Sequence, residues 1–149
     1  MTRDLDLDEI RRTASRFRKA IEACDRSMLP ISFEEFPRGS CGDVTPLLGT
    51  YLIEHGFGPF DYVLGERGSS GCTHAWLRRG QLDVDITADQ FADAPGSVIV
   101  CVESPWHRMF RQRIEHVADF RIYDEHAVSS LEAAYGLIVD SLERNDGWT

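Results

Sequence analysis

The sequence predicts an α+β fold, and three observations predict it. Apolar residues recur at helical spacing near both ends, a Gly-flanked cysteine opens a further apolar helix, and short alternating or apolar runs fill the region between. At 149 residues and 42% hydrophobic the chain has the size and apolar content of one domain spanning residues 1–149.

Taken in order, Ile10, Ala14, Phe17 and Ile21, with Ala20 and Cys24 alongside, repeat every three or four residues between Asp8 and Cys24, and charges fall between them. That is an amphipathic helix packed on a core. Its acidic start at Asp6, Asp8 and Glu9 complements the positive end of the helix dipole, and Pro30 stands beyond its end. Residues 29–40 carry Pro30, Pro37 and Gly39 among Phe33 and Phe36, an irregular approach with aromatic anchors. Val44, Leu47, Leu48, Tyr51 and Leu52 then form the stripe of a second helix, with Gly56 as its stop. Pro46 fits such a helix in its first turn, which starts it near Gly42 or Asp43 and puts Cys41 at its tip.

Phe60 to Leu64 reads as a strand, and the Gly- and Ser-rich run Gly65 to Gly71 as a mobile flap. Thr73 to Arg78 and Gln81 to Thr87 alternate on either side of Arg79-Gly80, the strongest hairpin signal in the chain. Val98 to Val102 is apolar throughout, as a central strand covered on both faces would be. Ser104-Pro105 suits the cap of a short helix with Trp106, Phe110 and Ile114 along one side, and Val117 to Tyr123 alternates like an edge strand. Val128, Leu131, Tyr135, Ile138 and Leu142 line a last helix, and a frayed tail is expected over Asn145 to Thr149.

Composition narrows the function classes. The N-terminus mixes Arg3, Asp4, Asp6, Asp8, Glu9, Arg11 and Arg12 with few apolar residues, unlike a signal peptide, and no run has the length of a membrane span, so a cytoplasmic location is expected. Cys24, Cys41, Cys72 and Cys101 are far apart and form no Cys-x-x-Cys pair, which suits separate thiols in a reducing compartment. With 16 basic and 25 acidic residues the net charge is -9, which repels nucleic acid and anionic membrane surfaces.

The chemistry lies in the hairpin and the cysteine. If Arg79-Gly80 closes the turn, Trp76 faces Asp83 and His74 faces Asp85, all four on one face, while Ala75, Leu77, Leu82, Val84 and Ile86 occupy the other. A carboxylate bonded to one imidazole nitrogen fixes the tautomer and frees the other nitrogen for a thiol. Cys41, with its thiolate favoured by a helix N-terminus, is the candidate nucleophile, His74 the base and Asp85 the orienter. Asp83 becomes the rival orienter if the register slips by two. Backbone N–H groups at the helix tip and Ser40 are oxyanion candidates, and Gly42 lets substrate approach. The reaction class is acyl transfer without a cofactor or metal.

Cys41 opening a helix, His74-Ala75-Trp76 on one strand and Asp85-Ile86-Thr87 on the next resemble, in order, spacing and flanking residues, the transglutaminase-like branch of the papain-like cysteine-protease superfamily. The resemblance covers roughly Gly39 to Thr87, about a third of the chain. It implies a nucleophile helix packed on an antiparallel sheet, here flanked by N- and C-terminal helices. It also implies a triad of Cys41, His74 and Asp85, and a peptide, protein or small amide, ester or thioester as substrate. No glutamine stands a few residues before Cys41, so Ser40 or backbone would donate to the oxyanion. Ser104 to Arg108, with Trp106, reads as one wall of a substrate cleft or as a helix start with a buried tryptophan, and Trp76 shares the polar face with His74. Two other readings compete. One is a catalytically inactive relative acting as a binding domain; the other is a zinc site built from Cys41, Cys72, His74 and an aspartate.

Overall fold

The computed structural model describes residues 6–69 and 71–146. Arg3, Asp4 and residues 147–149 therefore lie outside the described residues, whereas Asn145 and Asp146, expected to fray, continue the last helix. The fold is α+β, with three α-helices and one five-stranded antiparallel sheet among the described residues. Helix α1 is Leu7–Ala23, α2 is Cys41–Glu54 and α3 is Glu125–Asp146. The strands are β1 (Asp61–Arg67), β2 (Cys72–Arg79), β3 (Leu82–Asp85), β4 (Ile99–Val102) and β5 (Arg111–Val117), in the order β4-β3-β2-β1-β5. None of the described helices is long and apolar enough to cross a membrane.

The two faces of the sheet are covered differently. On one, the predicted stripes of α1, α2 and α3 meet Leu77, Leu82, Val84, Ile86 and Val100 in the larger apolar cluster, built from Phe17, Ile21, Leu47, Leu48, Leu52 and Ile138 among others. On the other, Val63, Trp76 and Ile99 are covered by Ala88, Phe91, Trp106 and Phe110 from the segments that flank β4. Asp6 caps α1, its carboxylate accepting from Glu9 N at 3.2 Å, as the acidic start suggested.

Several local expectations are corrected. Pro46 lies in the second turn of α2, not the first; the bond it cannot donate would have gone to the carbonyl of Gly42, near the N-terminal end of the ladder where one lost bond matters least. The run expected as a mobile flap is cut short, because Gly65, Glu66 and Arg67 belong to β1; Ser70 lies outside the described residues. Gly65 is there for close packing: a Cβ at that position would lie 2.7 Å from the Trp76 ring and 2.8 Å from Phe110 Cβ. β4 is an edge strand rather than a central one. Its apolar run reflects coverage above and below at Ile99 and Val100, and hydropathy reports that coverage, not the number of lateral neighbours.

The helix expected from Ser104 through Ile114 is a single 3₁₀ turn, His107–Met109, followed by β5. The coincidental four-residue spacing of Trp106, Phe110 and Ile114 mimics a helix, but the open edge of β1 takes up the backbone from Arg111 onward. Consequently Val117 ends β5, and residues 120–122 form a 3₁₀ turn in place of the expected strand.

Candidate active site

Cys41 is the first residue of α2, so its thiol sits where the helix dipole favours a negative charge. Ser40 precedes it, fully buried, and its hydroxyl donates to Pro37 O at 2.9 Å. That commitment removes the Ser40 side chain as an oxyanion donor. Asp43 N and Val44 N both return to Ser40 O, at 3.0 and 2.9 Å, while the N–H groups of Cys41 and Gly42 have no intrahelical acceptor. A Cβ built at Gly42 would meet just the Tyr62 hydroxyl, at 3.7 Å, so protein leaves the approach to this residue open.

The His74 side chain, the Ala75 backbone and the Gln90 side chain all act on the Cys41 thiol and favour its charged form. His74 comes from the middle of β2, where it pairs with Gly65, and it is fully buried. Four aromatic rings enclose its imidazole: Trp76 at 5.7 Å, Phe91 at 5.2 Å, Trp106 at 5.9 Å and Phe110 at 5.9 Å between centroids. The Arg67 guanidinium lies over Phe91, Trp106 and Phe110 and is paired with Asp93, which pins this cover to β1. Trp76 and Trp106 therefore wall in the back of His74 and are themselves buried.

His74 Nε2 lies 2.7 Å from Asp85 Oδ2, as the sequence suggested, but the register that delivers it differs. The hairpin pairs Arg79 with Leu82, Arg78 with Asp83 and Leu77 with Val84, so the turn is Gly80-Gln81 rather than Arg79-Gly80. Gly80 takes the first central position with φ +61, the conformation a type II′ turn demands there and glycine supplies. Moving a turn by one residue moves the pairing by two, which keeps every side chain on its face. His74 and Asp85 thus meet diagonally rather than directly opposed. The slip carries Asp83 away from His74, toward Arg78. Asp83 Oδ1 accepts from Trp76 Nε1 at 3.0 Å and Arg78 Nε at 2.8 Å, and Oδ2 from Ser104 N at 3.2 Å.

Asp85 has further partners that sequence reading did not assign. Its Oδ1 accepts from Thr87 N at 2.9 Å, and its Oδ2 lies 2.7 Å from His107 Nε2 as well as from His74 Nε2. His107 Nδ1 is 2.6 Å from Ser104 Oγ. Among the described residues that nitrogen is the acceptor available to the Ser104 hydroxyl, so Ser104 donates and the His107 ring carries its proton on Nε2, toward Asp85. The one sequence cue to His107 was its place in the polar cluster Ser104 to Arg108; its convergence on Asp85 requires the 103–110 segment to fold under the sheet. Gln90 had no cue. Its Nε2 lies 3.1 Å from His74 Nδ1 and 3.2 Å from Thr87 O.

The charges reinforce one another. Burial disfavours the Cys41 thiolate, yet the hydrogen bond and charge of His74, with Ala75 and Gln90, more than offset it and leave the thiol below its ordinary range. Burial likewise disfavours the His74 imidazolium, and Asp85 together with Cys41 raises it to about 9. Asp85 is held far below the usual carboxylate range despite full burial, by His74 and His107. Tyr62, pushed up to about 12 by burial and by the charges of Cys41 and Asp43, keeps its hydroxyl proton beside the helix tip. Lowering the thiol and raising the imidazole both favour a thiolate–imidazolium pair, the arrangement that proton transfer between sulfur and a leaving group requires.

Among the described residues the group with metal-ligand character is His74, Asp85 and His107, whose ligand atoms lie within 4.8 Å of one another; Cys41 and the exposed Cys72 are not in it. Around tetrahedral zinc, with bonds near 2.0–2.1 Å, neighbouring ligand atoms stand roughly 3.3 Å apart. Each Nε2 here is 2.7 Å from Asp85 Oδ2, a hydrogen-bond spacing. The chain matches no family model, no curated protein and no solved structure.

Proposed function

We propose that the chain is a cysteine-dependent acyl-transfer enzyme with a transglutaminase-like, papain-like core, acting on an amide, ester or thioester of a peptide, protein or small molecule. The single observation that carries this reading is the 2.7 Å His74–Asp85 hydrogen bond set beside the Cys41 thiol at a helix N-terminus, where His74 and Cys41 each favour the charged form of the other. The Cys41 sulfur anion forms a bond to the substrate carbonyl carbon. As the tetrahedral intermediate collapses, the bond to the leaving amine, alcohol or thiol breaks and takes the proton from His74. The thioester that remains is attacked by water or by an amine, whose proton returns to His74 as the sulfur departs. Asp85 holds the imidazole in the required tautomer and stabilises its positive charge. No cofactor enters these steps.

Iodoacetamide at about pH 6 tests the reading, because an ordinary thiol near pKa 8.5 is almost wholly protonated there. Cys41 is expected to alkylate at least tenfold faster than Cys24, Cys72 or Cys101, and His74→Ala to erase the difference. Cys72 is the demanding control because it is exposed, and burial raises Cys24 above its ordinary value. Equal slow labelling of all four would sink the proposal.

A further inference from the structure

We infer that Gln90 is the side-chain donor to the oxyanion of this site, a role that rests on the acyl-transfer reading above. The orientation of its amide follows from its neighbours. Nε2 lies 3.2 Å from the carbonyl oxygen of Thr87, which the amide nitrogen can satisfy and the amide oxygen cannot. The second N–H then points at His74 Nδ1, 3.1 Å away, on the side of the Cys41 thiol, whose charged form Gln90 favours. Asp85 engages Nε2 of the imidazole, so Nδ1 is the nitrogen that exchanges a proton with sulfur.

This places one donor at the point where charge moves. When the thiol proton passes to Nδ1, that nitrogen stops being an acceptor, and the Gln90 N–H retains the sulfur anion as its partner. When sulfur attacks, the negative charge passes to the carbonyl oxygen of the carbon now bonded to sulfur, and the same N–H follows it there. No proton leaves Gln90 at any step. The backbone N–H groups of Cys41 and Gly42 supply the companion donors at the helix tip.

Such donors work when held in place before reaction, and the turn bearing Gln90 is held from two sides. Arg18 of α1, nearly buried, grips Asp89 with both terminal guanidinium nitrogens, at 2.7 and 2.9 Å, and donates to Ile86 O at 2.7 Å. On the other side, Thr87 N is tied to Asp85 at 2.9 Å. The conformation of the turn is therefore set by the helix layer and by the triad itself.

Two reactions at one sulfur separate the role from mere support of the ion pair. Alkylation by iodoacetamide passes through no oxyanion, whereas acylation by p-nitrophenyl acetate or by a simple alkyl thioester does. In Gln90→Ala, and in the volume-conserving Gln90→Met should alanine loosen the turn, acylation is expected to slow by roughly 10²–10³-fold, the cost of one lost oxyanion donor. Alkylation at its plateau pH is expected to stay within about threefold of the parent. Gln90→Glu should acylate no faster than the alanine variant, since it sets an anion beside the oxyanion. Acylation unchanged in Gln90→Ala, or acylation and alkylation falling in step, overturns the assignment while leaving the nucleophile reading intact. A parent protein whose Cys41 alkylates but takes an acyl group from neither donor overturns both.

Discussion

Asp83 and Asp85 lie two residues apart on one face of β3, each about 2% exposed, yet their surroundings assign them to different work. Asp83 is ringed by donors that hold their protons through the neutral range: an indole, a guanidinium and a backbone amide. It ties β2, β3 and the start of the 104–110 segment together and conducts nothing. Asp85 receives two imidazoles and one backbone amide, and one of those imidazoles is raised in part by the thiol of Cys41. The difference teaches that a buried carboxylate is not by itself a sign of catalysis. Its partners decide, according to whether any of them can give up a proton near neutral pH.

Replacing Asp85 breaks the comparison most forcefully. Asp85→Asn is expected to lower acyl-enzyme formation by about 10³–10⁴-fold, because the imidazole loses its charge partner and its tautomer. It should also destabilise the fold by roughly 3–5 kcal/mol, as removal of one member of a buried charge network does, readable as a fall in urea midpoint. Asp83→Asn is the counterpart. A loss of about 1–3 kcal/mol is expected, smaller because Arg78 stays partly solvated, with alkylation of Cys41 in the folded protein within about threefold of the parent. If Asp83→Asn abolished Cys41 reactivity while Asp85→Asn preserved it, the roles assigned here would have to be exchanged.

The smallest effect is the pH dependence. Asp85 has its carboxyl depressed in the folded state, so its contribution to stability is complete above the unfolded value near 3.9 and is lost as pH falls below it. Acid titration of unfolding free energy should therefore be flatter in Asp85→Asn than in the parent below about pH 4. At the other end, the His74 imidazolium, which in the proposed reaction protonates the leaving group, is raised to about 9, so acylation by an amide should decline as pH passes that value. A parent whose acylation already fell off near pH 6.5 would show that Asp85 does not support the imidazolium.

Much of the fold and part of the site can be read in the linear chain, for local reasons. The stripes of α1, α2 and α3 and the placement of Cys41 at a helix tip follow from three- and four-residue spacing and from the caps beside it. The shared face of His74, Trp76, Asp83 and Asp85 follows from the period of two, and it survives a turn displaced by one residue. Where non-local pairing decides, local reading fails. The run from Arg111 becomes a strand because β1 offers a free edge, and β4 ends at the margin because no strand among the described residues pairs beyond it.

What the sequence determined by itself is the set of chemical groups, their order and the side of the sheet on which they stand, since side-chain alternation and helix periodicity are properties of neighbouring residues. Tertiary structure alone decided which of two aspartates holds the histidine, that His107 joins them, and that Gln90 reaches the histidine from its other side. Those choices depend on how residues 86–110 fold over the sheet, under the grip of Arg18 and Arg67, and distances across that fold are set by packing among residues far apart in the chain.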